Sequence, residues 1–135
     1  YQYLYDDDDM KQITSYCRGM IAVMDEMDVE KNDLIGIAKS LELSKDRFEF
    51  CLNYEEIKQF NFSKLKNPKY RVVLAGPMPH SIQGKGKFDS MIDMMKNTEE
   101  YPRIEMLKSS NELKISKSNF REALESLLGE GYIIT

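Results

Sequence analysis

Apolar residues in the first half of the chain recur at helical spacing. They follow four consecutive aspartates, Asp6 to Asp9, which suit the positive end of a helix dipole. The steps of three and four predict a long amphipathic helix that buries Ile13, Tyr16, Cys17, Met20, Ile21, Met24 and Met27. A second predicted helix buries Leu34, Ile37, Ala38 and Leu41. A third begins at Ser44, a residue type that caps helices, and buries Phe48, Cys51 and Leu52.

The middle of the chain has a different pattern. Residues 70–75 are rich in β-branched and apolar side chains and predict a short strand. The segment from Gly76 to Pro79 is expected to be irregular, because two prolines and a glycine continue neither a helix nor a central strand. We expect a glycine-spaced loop from His80 to Lys87.

Helical spacing returns in the last third. One helix is predicted at Phe88, Met91, Ile92 and Met95 and a short one over residues 104–109. The last helix begins near Ser116 or Ser118, ends at Gly129 and Gly131, and buries Phe120, Ala123, Leu124, Leu127 and Leu128. Residues 132–134 are then predicted to form a strand.

Two segments of the chain resemble each other. Residues 41–52 and 113–124, at an offset of 72, are identical at five of twelve positions. In each, a serine can satisfy free N–H groups at a helix start, and a phenylalanine and a leucine one turn apart can pack that helix on the preceding one. An internal repeat of two short helices joined by a tight turn is the interpretation, and chance similarity of amphipathic helices is the alternative.

The pattern from Ala38 through Leu41 to Ser44 resembles the helix-turn-helix of bacterial transcription regulators. The end of the chain, from Leu127 through Gly131 to Ile134, resembles winged-helix domains. The resemblance covers about residues 10–55 and 88–135. It implies a mainly α (α+β) fold of two tandem units with short strands. Residues 1–60 would be an acidic helical unit, 61–87 a basic strand-loop connection and 88–135 a winged-helix-like unit.

Charge is distributed unevenly along these segments. Residues 1–60 carry a net charge of −7, whereas residues 61–96 carry +5, which would draw a polyanion to the middle of the chain. Cys17 and Cys51 are too few for a disulfide framework or a zinc knuckle, so buried free thiols in a reducing compartment are expected. No apolar run reaches the roughly 20 residues that span a bilayer. These features predict a cytoplasmic protein with no membrane contact, no metal and no cofactor.

Candidate chemistry is confined to the predicted loop. His80, the only histidine, and Ser81 follow the predicted strand, but no paired carboxylate or cysteine completes a triad or a metal site. Gly84 to Lys87 resembles a phosphate-binding loop. The Walker A pattern fails because Pro79 and Gly86 stand where a glycine and a Ser/Thr are needed. The sequence therefore predicts no catalytic centre.

Three functions remain open. The first is nucleic-acid binding, most readily DNA binding, in which Lys85 and Lys87 contact the backbone. Lys117, Asn119 and Arg121 would then lie in or near the groove. The second is a protein–protein interaction module or homodimer, favoured by the acidic first half and the methionine-rich helix faces. The third is a small enzyme acting on a phosphate-containing substrate through His80 and the Gly84–Lys87 loop.

Overall fold

A four-stranded parallel sheet forms the centre of the molecule, so the predicted mainly α fold of tandem helix-turn-helix units is wrong. The computed structural model describes residues 7–78, 81–82, 86–87, 93 and 95–135. Its helices are α1 (Asp7–Cys17), α2 (Lys31–Ser40), α3 (Tyr54–Gln59) and α4 (Lys117–Gly129), with 3₁₀ helices at Lys45–Arg47 and Phe62–Lys66. Its strands are β1 (Met20–Met24), β2 (Phe48–Cys51), β3 (Tyr70–Ala75), β4 (Ser81–Ile82), β5 (Gly86–Lys87), β6 (Arg103–Met106), β7 (Lys108–Ser109) and β8 (Glu112–Leu113).

The sheet has the strand order β2-β1-β3-β6, and every neighbouring pair is parallel. It therefore draws on all three segments defined from the sequence. One face is covered by α2 and α4, and the other by α3, the Phe62–Lys66 turn and Met95. From β1 the chain continues to β2 on one side of β1. It then returns to form β3 on the other side, with β6 beyond it, and this reversal of strand order makes it a doubly wound α/β fold. Its topological switch point lies between the carboxyl ends of β1 and β3.

The strand β1 accounts for the largest error in the predicted elements. Its five residues are all apolar, because a central parallel strand is covered on both faces: Ile21 and Val23 pack on one side, and Ala22 and Met24 on the other. The same run also fits helical steps of three and four, and periodicity alone does not separate the two. The predicted long helix is therefore two elements, α1 and β1.

Other predicted elements also change type. Ser44 does cap a helix by accepting from the amide of Asp46, but that helix is a single 3₁₀ turn and the segment continues as β2. Residues 104–109 form β6 and β7 instead of a helix, and residues 132–134 form no strand. The two similar segments consequently differ in structure. Phe48 lies in a strand and Phe120 in a helix, although their ring centroids are 6.1 Å apart in one core.

Several predictions are confirmed. Strand β3 spans the predicted residues 70–75, and α2 buries Leu34, Ile37 and Ala38. Helix α4 begins after the cap Ser116 and buries Phe120, Leu124 and Leu127. The predicted 80–87 loop is corrected at its described residues, because β4 and β5 pair there as a short antiparallel ladder. Asp93, Met95 and Lys96 are helical as predicted, and the rest of the 88–95 helix lies outside the described residues.

Candidate functional site

The carboxyl ends of β1 and β3 meet at the switch point, where open α/β sheets usually bind ligands. We call this side of the sheet the carboxyl edge. Asp25 directly follows β1 and Gly76 directly follows β3. The amide of Gly76 donates to Met24 O (2.8 Å), and the amide of Glu26 donates to Pro77 O (2.8 Å). These two bonds tie the loops after β1 and β3 together and close the space above the strands.

Asp25 is sealed beneath those loops. Only 1% of its surface is exposed. Its Oδ1 accepts from the amide of Met27 (2.6 Å), whereas its Oδ2 has no hydrogen-bond partner among the described residues. A Cβ added to Gly76 would collide with Asp25 Oδ2 and with the Ile115 side chain, so the close approach requires glycine.

Burial sets the protonation behaviour of Asp25. Desolvation raises the pKa of its carboxyl above the ordinary value of 3.8, and the neighbouring Glu26 and Asp28 raise it further. The amides of Met27 and Ile115 act in the opposite direction but do not reverse the shift. Glu26 also has a buried carboxyl oxygen, Oε2, that finds no hydrogen-bond partner in the part of the chain that the structure describes. Among the residues that the structure describes, no three His, Cys, Asp or Glu side chains form a metal cluster. The buried carboxyl of Asp25, with its raised pKa and an Oδ2 that is unpartnered among the described residues, is therefore suited to holding a proton.

Asp25 was not predicted as a site residue. Its signal in the sequence is an acidic residue directly after the five apolar residues of β1. That signal can be used only once residues 20–24 are assigned to a buried strand, because the helical interpretation places Asp25 on a solvent-facing side.

The residues predicted to read nucleic acid lie at the start of α4. Asn119 forms a capping box with Ser116, and its Nδ2 also donates to Lys114 O (2.6 Å) and to Ser109 Oγ (3.1 Å). Arg121 Nη1 donates to Ser40 Oγ (3.1 Å) on α2. Lys117 Nζ lies 3.6 Å from the Asp33 carboxylate, also on α2. The structure brings these three residues onto one helix but engages each of them within the protein.

The predicted loop residues are only partly described. Ser81 and Lys87 are Cα partners in the β4–β5 ladder. His80, Gly84 and Lys85 lie outside the described residues. Two lysines of the basic middle segment are paired locally: Lys64 Nζ with Glu49 (2.6 Å) and Lys66 Nζ with Glu100 (3.5 Å).

Helix α1 lies at the opposite, amino edge of the sheet and is exposed along its length. None of its residues is buried. Its apolar side chains form a stripe at steps of three, and the exposed fractions are 49% for Met10, 45% for Ile13 and 52% for Tyr16. We call these three residues the α1 stripe. Tyr16 also stacks on the Arg71 guanidinium, whose Cζ lies 4.2 Å from the ring centroid.

Arginines fix the end of α1 to the sheet and to the end of the chain. Arg47 donates to three backbone carbonyls: Gly19 O (3.1 Å), Ile134 O (2.7 Å) and Cys17 O (3.3 Å). Desolvation by burial, together with the nearby Arg18, lowers the pKa of Arg47. Arg71 Nε donates to Tyr132 O (2.8 Å) and its guanidinium stacks on the Tyr132 ring. The exposed helix thus has a defined position although it packs little apolar surface.

No helix in the described part of the chain combines the length and apolar character needed to cross a bilayer. Comparison with known proteins gives no further assignment: the sequence matches no family model and no curated protein, and the fold matches no solved structure.

Proposed function

We propose that the chain is a protein-interaction module that engages its partner through the α1 stripe. The observation that carries this proposal is an amphipathic helix whose apolar residues Met10, Ile13 and Tyr16 face solvent. Single exposed apolar residues are ordinary on protein surfaces, but a contiguous set along one helix is typical of a docking face.

The length of α1 supports the same conclusion. Isolated helices shorter than about 12–15 residues are marginal in water, and most helices in proteins are stabilised by burying an apolar face. None of its 11 residues is buried, so α1 lacks that stabilisation within the described part of the chain. A partner that covers the α1 stripe would supply it.

Nucleic-acid binding stays a prediction with less support. Asn119 and Arg121 donate to neighbouring groups of the protein, whereas Lys117 forms only a long, exposed ion pair with Asp33. At the carboxyl edge, the 1% exposure of Asp25 and the hydrogen-bonded loops above it leave no open site for a phosphate among the described residues. Lys85 and Lys87 are the remaining basis of the nucleic-acid prediction.

Affinity capture from an extract of the source cells tests the proposal. The baits are the wild-type protein, Ile13→Glu and the control Gln12→Glu, which adds the same charge at an exposed neighbour on the same helix. We expect a protein that binds wild type and Gln12→Glu, is lost with Ile13→Glu and survives nuclease treatment. Binding that is nuclease-sensitive and indifferent to Ile13→Glu would contradict the proposal and favour the nucleic-acid prediction.

A further inference from the structure

A cleft of about 500 Å³ opens at the amino edge of the sheet, beside the last turn of α1. It forms where the chain that leaves α1 approaches the chain that enters β3. The amide of Met20 donates to Lys69 O (2.6 Å), and a Cβ added to Gly19 would lie 2.9 Å from the same oxygen. We call this space the amino-edge cleft, and the residues that line it include Ser15, Tyr16, Arg18, Met20, Pro68 and Lys69. Its volume is within the range of about 300–1,000 Å³ that is typical of small-molecule sites.

The amino-edge cleft is basic in a protein whose net charge is −4. Arg18 and Lys69 line it, and no acidic residue of the described chain does. Carboxylates lie around it instead: Asp7 lines a groove on another face of α1, and Glu99 and Glu100 line the neighbouring cleft. The positive charge is therefore confined to a small region.

Two further arginines lie next to the residues of the cleft. Arg47 and Arg71 donate to backbone carbonyls, as Arg18 also does. Within the described part of the chain, none of the three forms an ion pair with a carboxylate. Arg71 stacks on Tyr16 of the cleft, and burial together with the nearby Arg18 lowers the pKa of Arg47. An anion in the cleft would offset this accumulated positive charge.

We propose that the amino-edge cleft binds the phosphate group of a small molecule that has an apolar body. Arg18 and Lys69 supply positive charge, and Ser15 supplies a hydroxyl donor to the phosphate oxygens. Tyr16 and Pro68 form an apolar wall for the rest of the ligand. This site goes beyond the proposed function, because Ile13 of the α1 stripe does not line the cleft.

The carboxylates around the cleft favour a compact ligand over nucleic acid. The acidic first turn of α1 lies about 15 Å from Arg18, at 1.5 Å per residue. Glu99 and Glu100 line the neighbouring cleft. A polyanion that extends along α1 or into the neighbouring cleft would meet one of these groups, which repel its phosphates. A single phosphate can reach Arg18 and Lys69 without approaching either.

An NMR titration of the isotope-labelled protein with phenyl phosphate tests this inference. Phenol lacks the charge of this probe, and inorganic phosphate lacks its ring. Phenyl phosphate should shift the amides of residues 15–20 and 69–71 with a dissociation constant of about 0.1–3 mM, because the contacts are few and exposed. Inorganic phosphate should bind at least about threefold more weakly, and phenol should leave these amides unshifted. Added salt should weaken the binding of phenyl phosphate.

Two pairs of variants separate the effect of charge from that of structure. Ser15→Asp places a carboxylate in the cleft, whereas Ser15→Asn introduces a side chain of the same size without charge. We expect Ser15→Asp to weaken the binding of phenyl phosphate at least about tenfold and Ser15→Asn to change it less than about threefold. Lys69→Gln should weaken binding about three- to tenfold. Lys114→Gln removes the same charge at an exposed position between β8 and α4 and should leave binding unchanged.

Three results would overturn the inference. The first is an absence of shifts in the cleft at about 10 mM phenyl phosphate, and the second is equal binding by Ser15→Asp and Ser15→Asn. The third is a single-stranded oligonucleotide that binds these residues more tightly than phenyl phosphate, which would favour nucleic acid as the ligand. Equal affinity for inorganic phosphate would contradict the apolar wall.

The titration and the affinity capture fail independently. Ile13→Glu should abolish capture of the partner protein and leave the binding of phenyl phosphate unchanged. Ser15→Asp should abolish the binding of phenyl phosphate and leave capture unchanged. A failure of one experiment therefore contradicts one of the two proposals and not the other.

Discussion

The two edges of the sheet differ in what they offer to another molecule. At the carboxyl edge, the acidic side chain of Asp25 is 1% exposed and covered by loops that are hydrogen-bonded to each other. At the amino edge, α1 exposes an apolar stripe and is held by hydrogen bonds from Arg47 to the backbone. The carboxyl edge is where doubly wound sheets usually bind ligands. Exposed apolar side chains occur at both edges, with Met27 and Tyr54 at the carboxyl edge, but only α1 presents three of them along one helix.

The fold predicts a ligand site at the carboxyl edge, but the side chains at that edge do not leave one open. The switch point between β1 and β3 is present, but Asp25 and Gly76 fill it with a close internal contact. Function has to be argued from the groups that a partner can reach, and the fold alone does not identify it. In the described part of the molecule, the exposed stripe of Met10, Ile13 and Tyr16 is the better candidate.

The largest expected effect concerns the attachment of α1. Arg47→Ala should lower the free energy of unfolding by about 2–3 kcal/mol, because it removes charged hydrogen bonds to the carbonyls of Gly19, Ile134 and Cys17, although Cys17 O still accepts from the amide of Ile134. Urea denaturation measures the change. Lys45→Ala, an exposed neighbour on the same turn, should alter the value by less than about 0.5 kcal/mol. Equal effects of the two substitutions would contradict the role given to Arg47.

Gly76→Ala tests the closed contact at the carboxyl edge. The added methyl group collides with Asp25 Oδ2 and Ile115, so we expect a loss of about 1–3 kcal/mol. Gly36→Ala is the matched control, because its Cβ meets nothing within 4 Å and the site is inside α2. It should instead stabilise the protein by about 0.5–1 kcal/mol. Changes of the same sign would show that the contact at Gly76 does not constrain the edge.

Asn119→Ala distinguishes a structural role from recognition of nucleic acid. The capping box with Ser116 predicts a loss of about 1 kcal/mol in thermal or urea denaturation. Lys117→Ala should cost less, since its ion pair with Asp33 is exposed and long. Unchanged stability together with weaker DNA binding for Asn119→Ala would reverse this assignment.

The smallest expected effect is a pH dependence at Asp25. Because its folded-state pKa is raised above the ordinary 3.8, the folded state favours the protonated carboxyl. Wild-type stability relative to Asp25→Asn should therefore be greatest at low pH and fall as the pH rises from about 3.8 through the raised pKa. Urea denaturation of both proteins from acidic to neutral pH measures this difference. A difference that grows in favour of wild type with rising pH would contradict the burial argument.

Parts of this fold follow from the sequence and parts do not. Strand β3 and helix α4 were predictable because a β-branched run and a capped amphipathic repeat each fit one structure only. Strand β1 was not, since its apolar run fits a helix face equally well, and β2 was hidden by a serine cap that starts only one 3₁₀ turn. Asp25 was not predicted as a site residue, because β1, which it follows, was assigned to a helix. Ile13 and Tyr16 of the α1 stripe belonged to the predicted apolar pattern and Met10 did not. Their predicted burial was wrong, because it depends on tertiary packing that local spacing does not encode.

Photo-crosslinking in the source cells tests most directly whether α1 is the interaction surface. A benzophenone amino acid replaces Ile13 in one variant and Glu112, an exposed residue of β8, in another. The account predicts light-dependent protein adducts from position 13 and few from position 112. Adducts of equal yield from both positions, or none from position 13, would contradict it.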